Sequence, residues 1–305
     1  MRFFPWPRSG GAGATQAPPS DRDSRPQVVV VTDSTASFAV APDGVTAVPC
    51  LVVTPDGTMR EGVDCTADDV AARLSAGQTL STSQPPPDAF LAAYRQAADA
   101  GARAVVSVHI SSGLSGTVAS ASHASKRAML PVRVVDSMTS AGALGFAAQA
   151  AAQCAAAGCD ADHVAARASH VAAASRVLFG VDSLDHLRRG GRLSAAAAAL
   201  GAALGVRPIL TVDEGRIHAL TRVRSRAAVP ARLLALTVEA AAPMVNPAIA
   251  VHYVGSRARA ETVAALIAEA CSVTPVVSAL SPALAVHTGP DTLTIALADL
   301  GDHQH

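Results

Sequence analysis

Hydrophobic and polar positions along this chain fall into two recurring patterns, short apolar runs and longer stretches with helical spacing. Val28–Val31 is a continuous apolar run bounded by polar residues, as expected of a strand buried on both faces of a sheet. Further strands are predicted over Ala104–Ile110, Val132–Val135, Val177–Val181, Ala248–Tyr253 and Val273–Ala279. Helices are predicted over Ala67–Leu74, Asp88–Ala98, Val118–Met129, Ala141–Ala156, Asp162–Ala174, Leu193–Leu204, Ala227–Ala242 and Ala258–Cys271. Thr66 is placed to cap the first of these, with Asp68 and Asp69 in its first turn. In the second, Phe90, Leu91, Tyr94 and Ala98 share one face.

Turn residues supply three hairpin signals. Thr46–Val53 and Thr58–Val63 flank Thr54-Pro55-Asp56-Gly57. Arg207–Val212 and Arg216–Thr221 flank Asp213-Glu214-Gly215. Ala285–His287 and Thr292–Ala298 flank Gly289-Pro290. The strand–loop–helix–strand run from Ala104 to Val135 reads as a right-handed parallel crossover. The predicted class is therefore α/β.

Three predicted strands end in Ser-, Thr- and Asp-rich segments: Thr32-Asp33-Ser34-Thr35, Ser111-Ser112-Gly113-Leu114-Ser115-Gly116-Thr117 and Asp136-Ser137. If the strands are parallel in one sheet, these ends gather on its carboxyl edge, where open α/β sheets bind ligands. The loop Ser111–Thr117 carries most information. A helix starting at its end directs free N–H groups into it, which suits an anion. Capping needs one hydroxyl, and this loop holds four.

Ser81-Thr82-Ser83-Gln84-Pro85 reads as a second hydroxyl cluster or as a helix cap. Arg188-Arg189-Gly190-Gly191-Arg192 reads as an anion clamp or as a solvated basic loop. Asp33 and Asp136 read as Mg²⁺ ligands or as turn caps. His287 sits in a tight turn and reads as structural or functional. Gly113-Leu114-Ser115-Gly116-Thr117 misses the nucleophile-elbow pattern at its last position, which weighs against a serine hydrolase. There is no Walker A or G-x-G-x-x-G pattern to support a nucleotide site.

The formal net charge is zero and aromatics make up only 3% of the 305 residues. This argues against nucleic acid as a partner. Five scattered cysteines, Cys50, Cys65, Cys154, Cys159 and Cys271, show no zinc-pair spacing and read as small buried thiols. They fit a reducing cytoplasm, the expected compartment. Apolar runs are short and broken by charge, so no membrane insertion is expected. Residues 1–26 and 301–305 read as a disordered leader and a short polar tail.

The residues then resemble the DegV family. Val31-Thr32-Asp33-Ser34-Thr35, Thr82-Ser83-Gln84-Pro85, Ile110-Ser111-Ser112-Gly113-Leu114-Ser115-Gly116-Thr117 and Val134-Val135-Asp136-Ser137 stand in the family's order. So do Val181-Asp182-Ser183-Leu184, Arg189-Gly190-Gly191-Arg192-Leu193-Ser194, Arg207-Pro208-Ile209-Leu210 and His287-Thr288-Gly289-Pro290. The match runs from about Val28 to Ala298. The family's hairpin also matches at residues 54–63.

The resemblance implies a two-domain fold: a parallel-sheet domain over 27–160, an α/β domain over 161–300, and a ligand between them. It implies a long-chain fatty acid as that ligand, with no cofactor or metal. Thr82 or Ser83, Ser115 and the Gly116 amide would hold the carboxylate. Arg192 and His287 would sit near the head group and a partner's approach. Asp33, Ser34, Asp136 and Ser137 would support the loops. A dihydroxyacetone-kinase-like partner would phosphorylate the carboxylate for phospholipid synthesis, so the chain alone is expected to be a carrier without catalysis of its own. The alternatives are an autonomous phosphotransferase or hydrolase, and a lipid-sensing regulator. Val118 replaces a residue that is often Tyr in the family, and the 193–204 segment is unusually alanine-rich. A tail channel is favourable because each buried CH₂ contributes about 0.8 kcal/mol.

Overall fold

The structure is a computed structural model that describes residues 27–193 and 206–301. The expected leader, the tail after Gly301 and the predicted 193–204 helix, Leu193 apart, lie outside the described residues.

Strands β1 (Val28–Asp33), β2 (Val45–Val48), β6 (Ala104–His109) and β7 (Val132–Asp136) form a parallel sheet in the order β2-β1-β6-β7. It is buried on both faces, as the apolar run at Val28–Val31 requires. Val31 and Val105 pack under helices α2 (Pro87–Asp99) and α3 (Thr117–Ser125), beside Phe90, Tyr94 and Ala121. Val30, Val106 and Val108 face α4 (Ala141–Ala156) and α5 (Ala161–Ala173).

Strands β8 (Ser175–Gly180), β9 (Arg207–Asp213), β10 (Arg216–Val223), β11 (Pro247–Tyr253), β12 (Val276–Ala279) and β13 (Leu293–Asp299) form a mixed sheet in the order β10-β9-β8-β13-β11-β12. One face carries α7 (Ala228–Ala241) and α8 (Arg257–Cys271) over Leu178, Ile209, Ile249 and Ile295. The other packs on α4. That helix is sandwiched between the sheets: Ala143, Ala147 and Ala150 meet Val177, Phe179 and Ala296, while Leu144, Ala148 and Ala151 meet Val106 and Val108. Alanine suits such a helix because small side chains let both sheets approach. At Gly142 a Cβ would stand 2.5 Å from His252 Nε2, which leaves room only for hydrogen.

A third sheet, in the order β4-β3-β5, comprises β3 (Leu51–Thr54), β4 (Gly57–Arg60) and β5 (Ser81–Ser83). Helix α1 (Ala67–Ser75) precedes β5 and starts in the predicted Thr66 cap, completed into a capping box by Asp69. The short helices α6 (Asp185–Arg189) and α9 (Pro282–Thr288) complete the framework.

Several expectations are corrected. Thr46–Val53 is not one strand: the segment breaks at Pro49, giving β2 to the parallel sheet and β3 to the hairpin sheet. Proline cannot donate to a ladder, so the chain changes sheets there. The second arm of that hairpin ends at Arg60, because Gly62, at φ 72°, turns the chain. Ala285–His287 is helical, not a strand. Ser281 accepts from the Leu284 N–H and Pro282 occupies the first helical turn, a start signal that overrides the hairpin reading. The helix after the serine loop ends at Ser125, short of Met129.

Candidate functional site

The three hydroxyl-rich segments follow β1, β6 and β7, so parallel pairing brings them to one sheet edge. Their polar atoms are bonded mostly to one another and to backbone. Asp33, fully buried, accepts from Thr35 N (3.2 Å), Thr35 Oγ1 and Ile110 N (3.0 Å), and faces His109 Nδ1 at 3.0 Å. From His109 Nε2 the network continues to Ser107 Oγ (2.7 Å) and on to Tyr94 OH (2.8 Å). Ser34 Oγ accepts from Cys50 N at 2.8 Å. Asp136 accepts from Ser112 N and Met138 N, and Ser137 Oγ accepts from Thr139 N. These four residues brace the loops and do not line the neighbouring cleft.

That cleft has about 70 Å³ of interior space and opens to solvent at its mouth. Its polar rim brings together Thr82, Ser83, Ser115, Arg192 and His287 from four separate stretches of sequence. β5 supplies Thr82 and Ser83, α9 supplies His287, and the loops after β6 and α6 supply Ser115 and Arg192. Thr82 Oγ1 and His287 Nε2 are 2.7 Å apart. Arg192 Nε donates to the Leu114 carbonyl at 3.1 Å, and its Nη1 donates to the Gly190 carbonyl. Ser115 Oγ lies 2.8 Å from Thr117 Oγ1. Gly116 is the N-cap of α3 and packs on the Gln84 side chain, one residue beyond the rim. No side chain caps that helix end, so its first N–H groups carry no capping hydroxyl.

Burial, aided by Arg192 and His186, lowers the His287 pKa to about 4. At neutral pH it is a neutral hydrogen-bonding imidazole. Cys50 also lines the cleft, and burial pushes its thiol well above the usual range. Ser115 meets Thr117, not an imidazole, while His109 is buried against Ser107. The arrangement therefore contains no nucleophile–base pair at Ser115.

The lining also includes the apolar Val177 and Phe179 from β8, Val212 from β9, Ile217 from β10, and Leu187, Leu280 and Leu284, together with the polar Thr35, Gln84, Ser140, Thr288 and Thr294. Sequence reasoning did not single out the apolar members, although their alternation within predicted strands carried the signal. It also missed Glu61. This buried carboxylate accepts from Ser281 Oγ (3.1 Å) and Ala283 N (3.0 Å), pinning the start of α9. Burial raises its pKa to about 7. Nothing in the local sequence marked it.

The loop after β6 also docks across the molecule. Ser111 Oγ donates to the Gly215 carbonyl at 2.8 Å, joining the parallel sheet's edge to the β9–β10 turn. Among the described residues no three His, Cys, Asp or Glu side chains gather as a metal set. No described helix is long and apolar enough to cross a membrane.

The fold and cleft thus define a class: an α/β protein of three sheets with a largely apolar cleft that gathers a cluster of hydroxyls. Residues 27–299 match the model of the family described as uncharacterised protein, DegV family. The chain belongs to the DegV family. A DegV domain-containing protein of Streptomyces coelicolor is 39% identical, over 89% of this chain and 98% of the relative. One of Mycobacterium tuberculosis is 37% identical, over 90% and 98%. Among solved structures, a DegV family protein of Thermus thermophilus described by its fatty acid binding superposes with TM-score 0.81 and 30% identity, over 89% of this chain and 99% of that one. DegV of Bacillus subtilis, described as a fatty acid binding protein, gives 0.80 and 29%, with the same coverage.

Proposed function

We propose that this chain binds a long-chain fatty acid, carboxylate at the rim and acyl tail in the cleft. The observation that carries this reading is the cleft's lining, which gathers several hydroxyls and one guanidinium with a set of aliphatic side chains and Phe179. A carboxylate is a small anion suited to hydroxyl donors and an uncapped helix start. The tail gains about 0.8 kcal/mol for each CH₂ taken from water. The fatty acid binding described for the Thermus and Bacillus relatives supports the same reading.

In this reading Thr82, Ser83, Ser115 and the Gly116 amide hold the carboxylate, with Arg192 and His287 beside it. The chain divides near residue 160 into two α/β units that share the ligand. The protein is a cytoplasmic carrier that presents the carboxylate to a kinase subunit. There a carboxylate oxygen attacks the terminal phosphorus of a nucleoside triphosphate, the bond to the diphosphate breaks, and an acyl phosphate forms.

Extraction of the purified full chain, followed by mass spectrometry, is expected to yield about one long-chain fatty acid per protein. Thr82→Ala combined with Ser115→Ala is expected to weaken retention about tenfold or more, from the loss of two hydrogen bonds to a charged group. Recovery of no fatty acid, even after feeding, would overturn the reading. Unchanged retention in the double variant would remove those residues from the site.

A further inference from the structure

The cleft's hydroxyls fall into two groups. Thr35 Oγ1 donates to Asp33, Thr82 Oγ1 meets His287, Ser83 Oγ donates to the Gln84 carbonyl and Ser115 Oγ meets Thr117. Ser140, Thr288 and Thr294 also line the cleft, and among the described residues their hydroxyls have no hydrogen-bond partner. All three residues are more than nine-tenths buried, at 5%, 8% and 3% exposure. A buried hydroxyl without a partner loses its hydrogen bonds to water and gains none inside the protein. A wall that only excluded water would be served as well by alanine or valine.

Thr288 stands beside His287, whereas Ser140 and Thr294 come from two other elements that meet. Ser140 precedes α4 and Thr294 is the second residue of β13. The start of α4 lies on β11 and β13: the Gly142 N–H donates to His252 Nε2 at 3.1 Å, and a Cβ on Gly142 would stand 3.0 Å from the Ala296 Cβ. His252 is the register partner of Thr294, and Ala296 follows Thr294 on the same face of β13. Ser278 Oγ, 2.9 Å from His252 Nδ1, fixes that ring in turn. The two hydroxyls are therefore carried by one rigid junction, with Phe179 of β8 paired to Thr294 on the neighbouring strand.

The junction also has a fixed relation to the rim. The Thr139 carbonyl, next to Ser140, accepts from Ser111 N at 2.9 Å, and the Ser111 carbonyl accepts from Ser115 N at 3.0 Å. Two hydrogen-bonded steps thus separate Ser140 from Ser115. An acyl chain with its carboxylate at Ser115 brings its first carbons, not its far end, past this junction.

We propose that Ser140 and Thr294 recognise an oxygen on the acyl chain itself, and that the ligand the cleft fits best is a β-hydroxy long-chain fatty acid. The proposal rests on the fatty-acid reading of the cleft. A ligand hydroxyl donates one hydrogen bond and accepts others, so it serves both residues at once. A saturated chain leaves both unpaired, and unpaired polar groups in a site discriminate against the ligand that lacks the matching group. Depth selects the β carbon: an α-hydroxyl stays with the carboxylate at the rim, and a mid-chain hydroxyl lies beyond the junction. Because the two protein hydroxyls sit on fixed elements, a chiral β carbon presents its oxygen to them in one configuration only.

The test is calorimetry on the delipidated full chain with palmitate and the two separate enantiomers of β-hydroxypalmitate. The enantiomers share charge and hydrophobicity, so a difference between them comes from positioned protein groups. One enantiomer is expected to bind about fivefold more tightly than palmitate, the gain of about one net hydrogen bond. The other is expected to bind no more tightly than palmitate. Thr294→Val and Ser140→Ala are each expected to shrink the gap between enantiomers to about twofold or less, and to leave palmitate within about twofold. Thr294→Val is expected to keep its folding stability in denaturant titration, since it strands no partner, and Ser140→Ala removes no capping bond. A gap that survives both substitutions overturns the assignment. So does a marked loss of stability in Thr294→Val, which would show its hydroxyl already paired. A chain that binds palmitate and both enantiomers equally refutes this inference and leaves the fatty-acid reading standing. A chain that binds none of the three overturns both.

Discussion

At the carboxyl edge of β1, β6 and β7 polar side chains are buried and bonded to one another, whereas the face of β8, β9 and β10 that borders the cleft is apolar. The first region works by direction. Asp33, His109, Ser107 and Tyr94 form a continuous hydrogen-bonded path, and the loops that carry Thr35 and Ser115 start from its end. The second region works by exclusion. Val177, Phe179, Val212 and Ile217 need only be apolar and correctly sized. Dispersion and burial are non-directional, but an unpaired polar atom in the interior costs its full desolvation. The polar edge should therefore tolerate substitution far less than the apolar wall.

Asp33→Ala should break the comparison's strong side. It would strand the N–H groups of Thr35 and Ile110 and the imidazole of His109, all buried. A loss of roughly 3–5 kcal/mol of folding stability is expected, the range for removing one partner of a buried polar network. Phe179→Ala tests the other side. It removes a buried ring, but one edge of that ring already borders the open cleft, so the expected loss is about 2–3 kcal/mol, at or below the usual range for such a truncation. Denaturant titration of both variants reads the difference. If Phe179→Ala costs more than Asp33→Ala, the contrast between the two regions is wrong.

The same contrast explains what could be read from sequence. Buried parallel strands announce themselves as apolar runs, and the hydroxyl-rich ends followed from where those runs stop. The ordered motifs named Thr82, Ser83, Ser115, Arg192 and His287, and the fold brings all five to one rim. The Thr66 capping box was likewise local, since its two members lie three residues apart. What stayed hidden depends on distant contacts. Glu61 meets Ser281 and Ala283 across more than 200 positions of chain, and no local pattern encodes that meeting. The break at Pro49 was legible in principle, because a proline within a strand pattern demotes it. The hairpin placed at Ala285–His287 failed because Gly289-Pro290 was given more weight than the Ser281-Pro282 helix start. The apolar side of the cleft was visible only as alternation, and alternation does not say which face lines a cavity.

Glu61 supplies the smallest effect and the finest test. It is a polar group buried beside the apolar wall, where the comparison says such groups are costly. Burial raises its pKa from 4.5 to about 7 in the folded protein, and the nearby Asp33 carboxylate adds to the rise, while Ser281, Ala283 and Ser34 oppose it. A raised carboxyl binds its proton more tightly folded than unfolded. Its contribution to stability is therefore full at pH below the unfolded value and is lost as pH rises toward 7. His252 and His287, both lowered to about 4 by burial, act in the opposite sense: their contribution is present above the unfolded histidine range and lost on acidification. The informative quantity is thus the difference between wild type and Glu61→Gln, in which the histidines cancel. The glutamine carbonyl can still accept from Ser281 and Ala283, so α9 stays pinned. Between about pH 5.5 and pH 7 the variant should gain roughly 1.5 kcal/mol on the wild type. Parallel stability curves over that interval would show that Glu61 is ionised without penalty, and that this part of the wall is wetter than its burial implies.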